Sequence, residues 1–173
     1  GKAAAMSKTA RAVIAHGQDF DVREYPVPDP RSDTLVVRQE LAGICGTDLH
    51  MWQNGIPGER LLGHENVGII DKLGKDVTTD YVGNPVREGD RVIFAPGTPS
   101  SAYGFQSDPD EEPHLRGGFA DFVHLCLPGT LFIKTDLAPE VAVMAEPFTI
   151  GVHAAMRGGI QLGDTVVVQR AGD

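Results

Sequence analysis

The segment Gly43-Ile44-Cys45-Gly46-Thr47-Asp48-Leu49-His50 is followed about twenty residues on by Gly63-His64-Glu65-Asn66-Val67-Gly68. Together they offer a thiol, an imidazole and a carboxylate between glycines. These are the donor types of a zinc site with one open coordination position, and an open position lets a metal act on a substrate rather than only staple a fold. Cys45 brings a soft thiolate and His64 a neutral imidazole. The third protein ligand is either Glu65 or Glu146. Taken singly, a cysteine at a strand end is more often buried and inert, and a histidine beside a glycine is more often a turn residue. It is their joint pattern that points to metal.

The rest of the composition is that of a globular chain. Of 173 residues, 41% are hydrophobic and 23% charged, enough to bury a core. The net charge of −9 comes without a basic run, which excludes nucleic acid and anionic membrane surfaces as partners, since both need clustered Lys or Arg. No apolar run approaches the roughly eighteen residues of a membrane span, and no signal-peptide pattern is present. Gly1 to Ala5 precede Met6 and read as a tag remnant, so residues 1–9 are expected to be a disordered N-terminus. Cys45 and Cys126 lie in no repeated spacing, and a reducing, cytoplasmic setting is expected. The 21 glycines and 12 prolines punctuate many short apolar runs, the pattern of a sheet protein rich in turns.

Arg11 to His16 and Phe20 to Tyr25 read as strands joined by a turn at His16-Gly17-Gln18-Asp19. Pro26, Pro28 and Pro30 make an extended linker. Thr34 to Gly43 reads as a strand delivering Cys45 at its end. Thr47 or Asp48 is placed to cap a short helix through His50 and Trp52. Asn66 to Leu73 reads as a strand, as does the stretch after the Gly89-Asp90 turn. Ala95 to Gly118, rich in Pro, Ser, Asp and Glu, reads as a long mobile loop, with Asp108 to Glu112 simply solvated. Phe119 to Leu127 is strand-like. Ala138 to Arg157 contains two helical stretches, with Pro147 suited to the first turn of the second. His153 is expected to pack in that helix. Cys126 is expected to be a buried small hydrophobe, and Trp52 to line a substrate cleft or the core. His16, His114 and His124 have no partner in the sequence. Thr165 to Gln169 reads as a short buried strand.

Cys-Gly-Thr-Asp-Leu-His followed by Gly-His-Glu-x-x-Gly resembles the catalytic domain of the zinc-containing medium-chain alcohol dehydrogenases. Gly89-Asp90-Arg91-Val92, Gly117-Gly118-Phe119-Ala120-Asp121-Phe122-Val123 and Ala145-Glu146-Pro147 fit the same family in the same order. The resemblance implies a mainly β fold with short helices: a GroES-like β-barrel over residues 10–145, then, over 146–173, a connecting helix and the first strand of an incomplete Rossmann domain. It implies that Cys45 and His64 ligate one catalytic zinc, with Glu65 as an alternating or outer ligand and Glu146 where many members place the third. The Glu-Pro form is closer to the polyol, sugar and amino-alcohol branch. Thr47 would accept the alcohol proton, His50 would pass it to solvent, and Asp48 would hold the His64 tautomer.

The implied reaction is NAD- or NADP-dependent oxidation of a small alcohol or polyol through a zinc-bound alkoxide. The zinc-free reductase branch of the same fold lacks the Cys and His ligands that this chain has. Ala95 to Gly118 contains no cysteine, so no four-cysteine structural zinc is expected. The glycine-rich dinucleotide turn expected after Val166-Val167-Val168-Gln169 is incomplete at Arg170-Ala171-Gly172-Asp173, which leaves cofactor-binding residues unassigned. The chain by itself is therefore expected to lack turnover, and its uncovered apolar surface to favour a homo-oligomer. The alternative is a non-catalytic metal-binding or assembly module of the same fold.

Overall fold

The structure is a computed structural model that describes residues 8–169. The tag reading of Gly1 to Ala5 and the incomplete fingerprint at Arg170–Asp173 lie outside the described residues. The order begins β1 (Thr9–Gly17), β2 (Asp19–Pro26), β3 (Leu35–Gly43), α1 (Gly46–Asn54), β4 (Ile56–Leu62), β5 (Glu65–Leu73). It continues with β6 (Arg91–Phe94), β7 (Phe105–Ser107), β8 (Phe122–Leu125), β9 (Phe132–Lys134), α2 (Pro139–Ala142) and α3 (Ala145–Gly158). The fold is mainly β with short helices, as expected. No helix among the described residues is long and apolar enough to cross a membrane.

Two antiparallel sheets form, in the orders β2-β1-β4-β7 and β8-β3-β5-β6-β9. The β1–β2 hairpin pairs His16 with Asp19 across a two-residue turn. Gly17 there has φ +57°, which glycine adopts without a Cβ penalty. Alternation along β1 buries Ala10, Ala12 and Ile14, which pack with Val36, Leu61, Leu115 and Phe122 between the sheets. A second cluster joins Val37, Ile70, Val92, Phe94, Tyr103 and Val123.

One register positions the site. β3 pairs antiparallel with β5, and irregularities at Val36/Val37 and Gln39/Leu41 bring Gly43 opposite Glu65. Cys45, two residues beyond the end of the pairing on one strand, and His64, one residue before it on the other, therefore meet.

Several expectations are corrected. Thr9 already belongs to β1, and Lys8 bonds Asp71 at 2.8 Å, so these two residues of the 1–9 segment are ordered. The loop 95–118 contains β7, and its Tyr103 and Leu115 are core residues. The Tyr103 hydroxyl lies 2.6 Å from Thr130 Oγ1 and accepts the Leu127 N–H at 2.8 Å. Asp110 is more than solvated, because it accepts hydrogen bonds from Tyr25 (2.7 Å) and Arg23 (3.2 Å). β4 and β9, too short or too polar to stand out in the sequence, are additional strands. Residues 165–169 form no strand, and Val166, Val167 and Val168 are exposed. A β-branched run needs a neighbouring strand to pair with, and the described residues provide none. For the same reason α3 has no buried residue, and His153, expected to pack, is exposed.

Candidate metal centre

β3 ends at Gly43, where a Cβ would come within 2.9 Å of the Glu65 Cβ and meet its carboxylate. Cys45 is the N-cap of α1, in extended conformation (φ −81°, ψ 155°). Neither Thr47 nor Asp48 is the cap; both lie inside the helix. Asp48 instead caps in reverse, its Oδ2 accepting the Cys45 backbone N–H at 2.9 Å. Between β4 and β5, Gly63 adopts φ +95°, and a Cβ there would sit 2.6 Å from the Phe119 amide nitrogen. The Gly63 carbonyl accepts the Gly118 N–H at 2.8 Å and the Asn66 amide at 3.2 Å. That clamp fixes the chain on the N-terminal side of His64.

His64 is buried, and Phe105 of β7 stacks on its ring with centroids 5.0 Å apart and planes at 22°. His64 Nδ1 lies 3.7 Å from Asp48 Oδ1. With Nδ1 turned to the carboxylate, Nε2 is left for a metal. Burial raises the Asp48 carboxyl above its ordinary value, while the Cys45 N–H and His64 pull it back.

The Cys45 thiol, a His64 ring nitrogen and a Glu65 carboxylate oxygen all lie within 4.8 Å of one another. Two donors at ~2.0–2.3 Å from one ion are at most ~4.6 Å apart. The set is a small side-chain adjustment from sharing an ion. Glu146, at the start of α3, lies outside this triplet and lines a cavity of about 120 Å³ beside Asn66, Phe94 and Pro96. Burial raises its carboxyl; His64 opposes the rise and Glu65 adds to it, so the three groups feel one another's charge.

Thr47 and His50 are both exposed on α1 and, three apart, share a face. Asp48, Leu49 and Trp52 take another face and line an apolar cavity of about 610 Å³ with Val13, Phe20 and Phe119. Trp52 also donates to the Gln18 carbonyl at 2.9 Å. Cys126 is buried, and both cysteines are free thiols. Phe105, Asn66 and Gly118 were missed as supports of the site. The glycine flanks of His64 hinted at close backbone approach, but nothing local marks Phe105.

The fold and the donor set define a two-sheet β domain that brings together, from a strand end and a glycine-flanked turn, a Cys/His/Glu group able to hold a metal ion. The chain belongs to the alcohol dehydrogenase GroES-like domain family, which matches residues 31–136. It is 29% identical to sorbitol dehydrogenase of Homo sapiens over 98% of this chain and 51% of that protein. It is 35% identical to 5-exo-hydroxycamphor dehydrogenase of Pseudomonas putida over 96% of this chain and 51% of that protein. Among solved structures, a putative zinc-binding dehydrogenase from Sinorhizobium meliloti bound to NADP superposes with a TM-score of 0.69 at 27% identity, covering 91% of this chain and 48% of that one. The chain spans about half the length of the curated relatives it matches.

Proposed function

We propose that residues 10–145 are the metal-binding catalytic domain of a zinc-dependent alcohol or polyol dehydrogenase. The observation that carries this reading is the convergence of Cys45, His64 and Glu65 within 4.8 Å. Thiolate, imidazole and carboxylate suit zinc, and Glu146 stands by as a fourth candidate donor. Bound zinc supplies Lewis acidity that lowers the pKa of a substrate hydroxyl. Thr47 Oγ1 would accept the hydroxyl proton while giving up its own, and exposed His50 would pass that proton to water. Asp48 holds His64 with Nε2 toward the metal and anchors the Cys45 backbone. A nicotinamide, NAD or NADP, would supply the hydride acceptor that the oxidation of an alcohol to a carbonyl requires. The described residues hold no parallel βαβ unit, so the nicotinamide would be bound by residues outside 8–169. We expect no turnover from residues 8–169 by themselves. The exposed Phe148, Ile150 and Met156 of α3 support self-association.

The test is metal content after dialysis without chelator. About one zinc per chain, lost in Cys45→Ser with the fold retained, is the expected result. A folded chain that takes up no zinc even when it is resupplied would overturn the reading. Cobalt substitution then separates catalysis from a bare binding module. An absorption spectrum that shifts on adding alcohol shows an exchangeable position, and an unresponsive spectrum favours the non-catalytic module.

A further inference from the structure

A cleft of about 540 Å³ opens where three remote parts of the chain meet: the linker at Pro26, Pro28 and Arg31, the loop at Pro113 and His114, and His124 of β8. His124 is 5% exposed, and neither of its ring nitrogens has a hydrogen-bond partner among the described residues. Its backbone is satisfied, the N–H donating to the Leu115 carbonyl at 2.8 Å. Along β8 its neighbours Phe122, Val123 and Leu125 are buried and apolar. An unpaired imidazole in such a row is costly unless something in the cleft satisfies it.

The charges around it select the ligand. The Arg31 guanidinium is steadied by the Cys126 carbonyl at 3.3 Å and by Asp33 at 3.4 Å, and has N–H donors to spare. His114 turns Nδ1 to the Pro109 carbonyl at 3.1 Å and packs against Tyr25 with ring centroids 5.1 Å apart, which fixes its plane and leaves Nε2 free. Two carboxylates also line the cleft. Asp29 is engaged by Lys72 at 2.5 Å, whereas Glu112 has no ion-pair partner among the described residues. One uncommitted carboxylate opposes a multiply charged anion while tolerating a single charge on Arg31. The proline rings offer flat apolar walls.

We propose that this cleft binds a small organic monocarboxylate. Its carboxylate pairs with Arg31 and reaches His124, and its apolar body lies against Pro26, Pro28 and Pro113. The site is separate from the Cys45–His64–Glu65 cluster and does not depend on the dehydrogenase reading.

The experiment follows the ring signals of His114 and His124 by NMR in the zinc-depleted chain, with benzoate, inorganic phosphate and benzyl alcohol as probes. Saturable benzoate shifts at both histidines are expected, with much weaker effects from the other two probes. Affinity should drop about tenfold in Arg31→Gln, an exposed change that leaves the core intact, and remain in Cys45→Ser. His124→Leu should abolish saturation while His114 still reports on the fold. Absence of saturable shifts, equal response to phosphate or benzyl alcohol, unchanged affinity in Arg31→Gln, or loss in Cys45→Ser would each overturn the proposal.

Discussion

Asp48 ties together two of the three clustered donors: its Oδ2 accepts the Cys45 N–H at 2.9 Å and its Oδ1 lies 3.7 Å from His64 Nδ1. One buried carboxylate thus anchors the backbone that carries the thiol and, across 3.7 Å, places its negative charge beside the His64 ring. Asp48→Asn keeps the shape but removes the charge, and we expect zinc affinity to fall about 10–100-fold. Competition with a chromophoric chelator measures this; unchanged affinity would show that Asp48 acts only as a helix cap.

Phe105 holds His64 from the other side. Phe105→Ala removes a stacked ring, and aromatic pairs contribute ~0.5–1.5 kcal/mol beyond their buried area. Urea unfolding should show at least that loss in metal-free protein. Zinc should bind more weakly as well, because His64 gains rotameric freedom.

The loop 95–118 is pinned by Tyr103, whose ring is fully buried and whose hydroxyl serves Thr130 and the Leu127 N–H. Tyr103→Phe leaves a buried donor unmet and should cost about 1–3 kcal/mol. Limited proteolysis should then cut within 95–118 faster than in the parent. Equal cleavage rates would mean that Asp110 and its partners Tyr25 and Arg23 suffice to hold the loop.

His124 makes stability depend on pH. Burial, with Arg31 and Arg116 adding like charge, lowers its pKa from 6.5 to about 4. Between these values the unfolded chain binds a proton that the folded chain does not, so stability falls as pH falls from about 6.5 to about 4. The shift corresponds to a loss of about 3 kcal/mol. His124→Leu removes the titrating ring, and its stability should decline less steeply over that window. Parallel pH curves for the two proteins, measured without metal, would refute this.

Much of the architecture was legible because its signals are local. The hairpin at Gly17, the strand into Gly43, the helix after Cys45 and the strand after Glu65 each announce themselves by alternation or by a glycine at a forced turn. The strand expected at Thr165 to Gln169 failed because pairing is a property of two segments, and only one of them is described. Loop 95–118 was misread for a related reason. Its polar composition hides Tyr103, Phe105 and Leu115, whose burial depends on distant strands.

By itself the sequence determined which donors the chain carries and in what order, since a thiol, an imidazole and a carboxylate between glycines are covalent facts. It left Glu65 and Glu146 as equal candidates for the third ligand, and His114 and His124 without partners. Tertiary structure decided what lies beside each of these side chains. The β3–β5 register puts Gly43 opposite Glu65, so Glu65 joins Cys45 and His64 while Glu146 remains at the edge. The folding of the loop back over the proline linker brings His114 and His124 to one cleft. Register and loop closure are sums over many remote contacts, and no short window of residues encodes them.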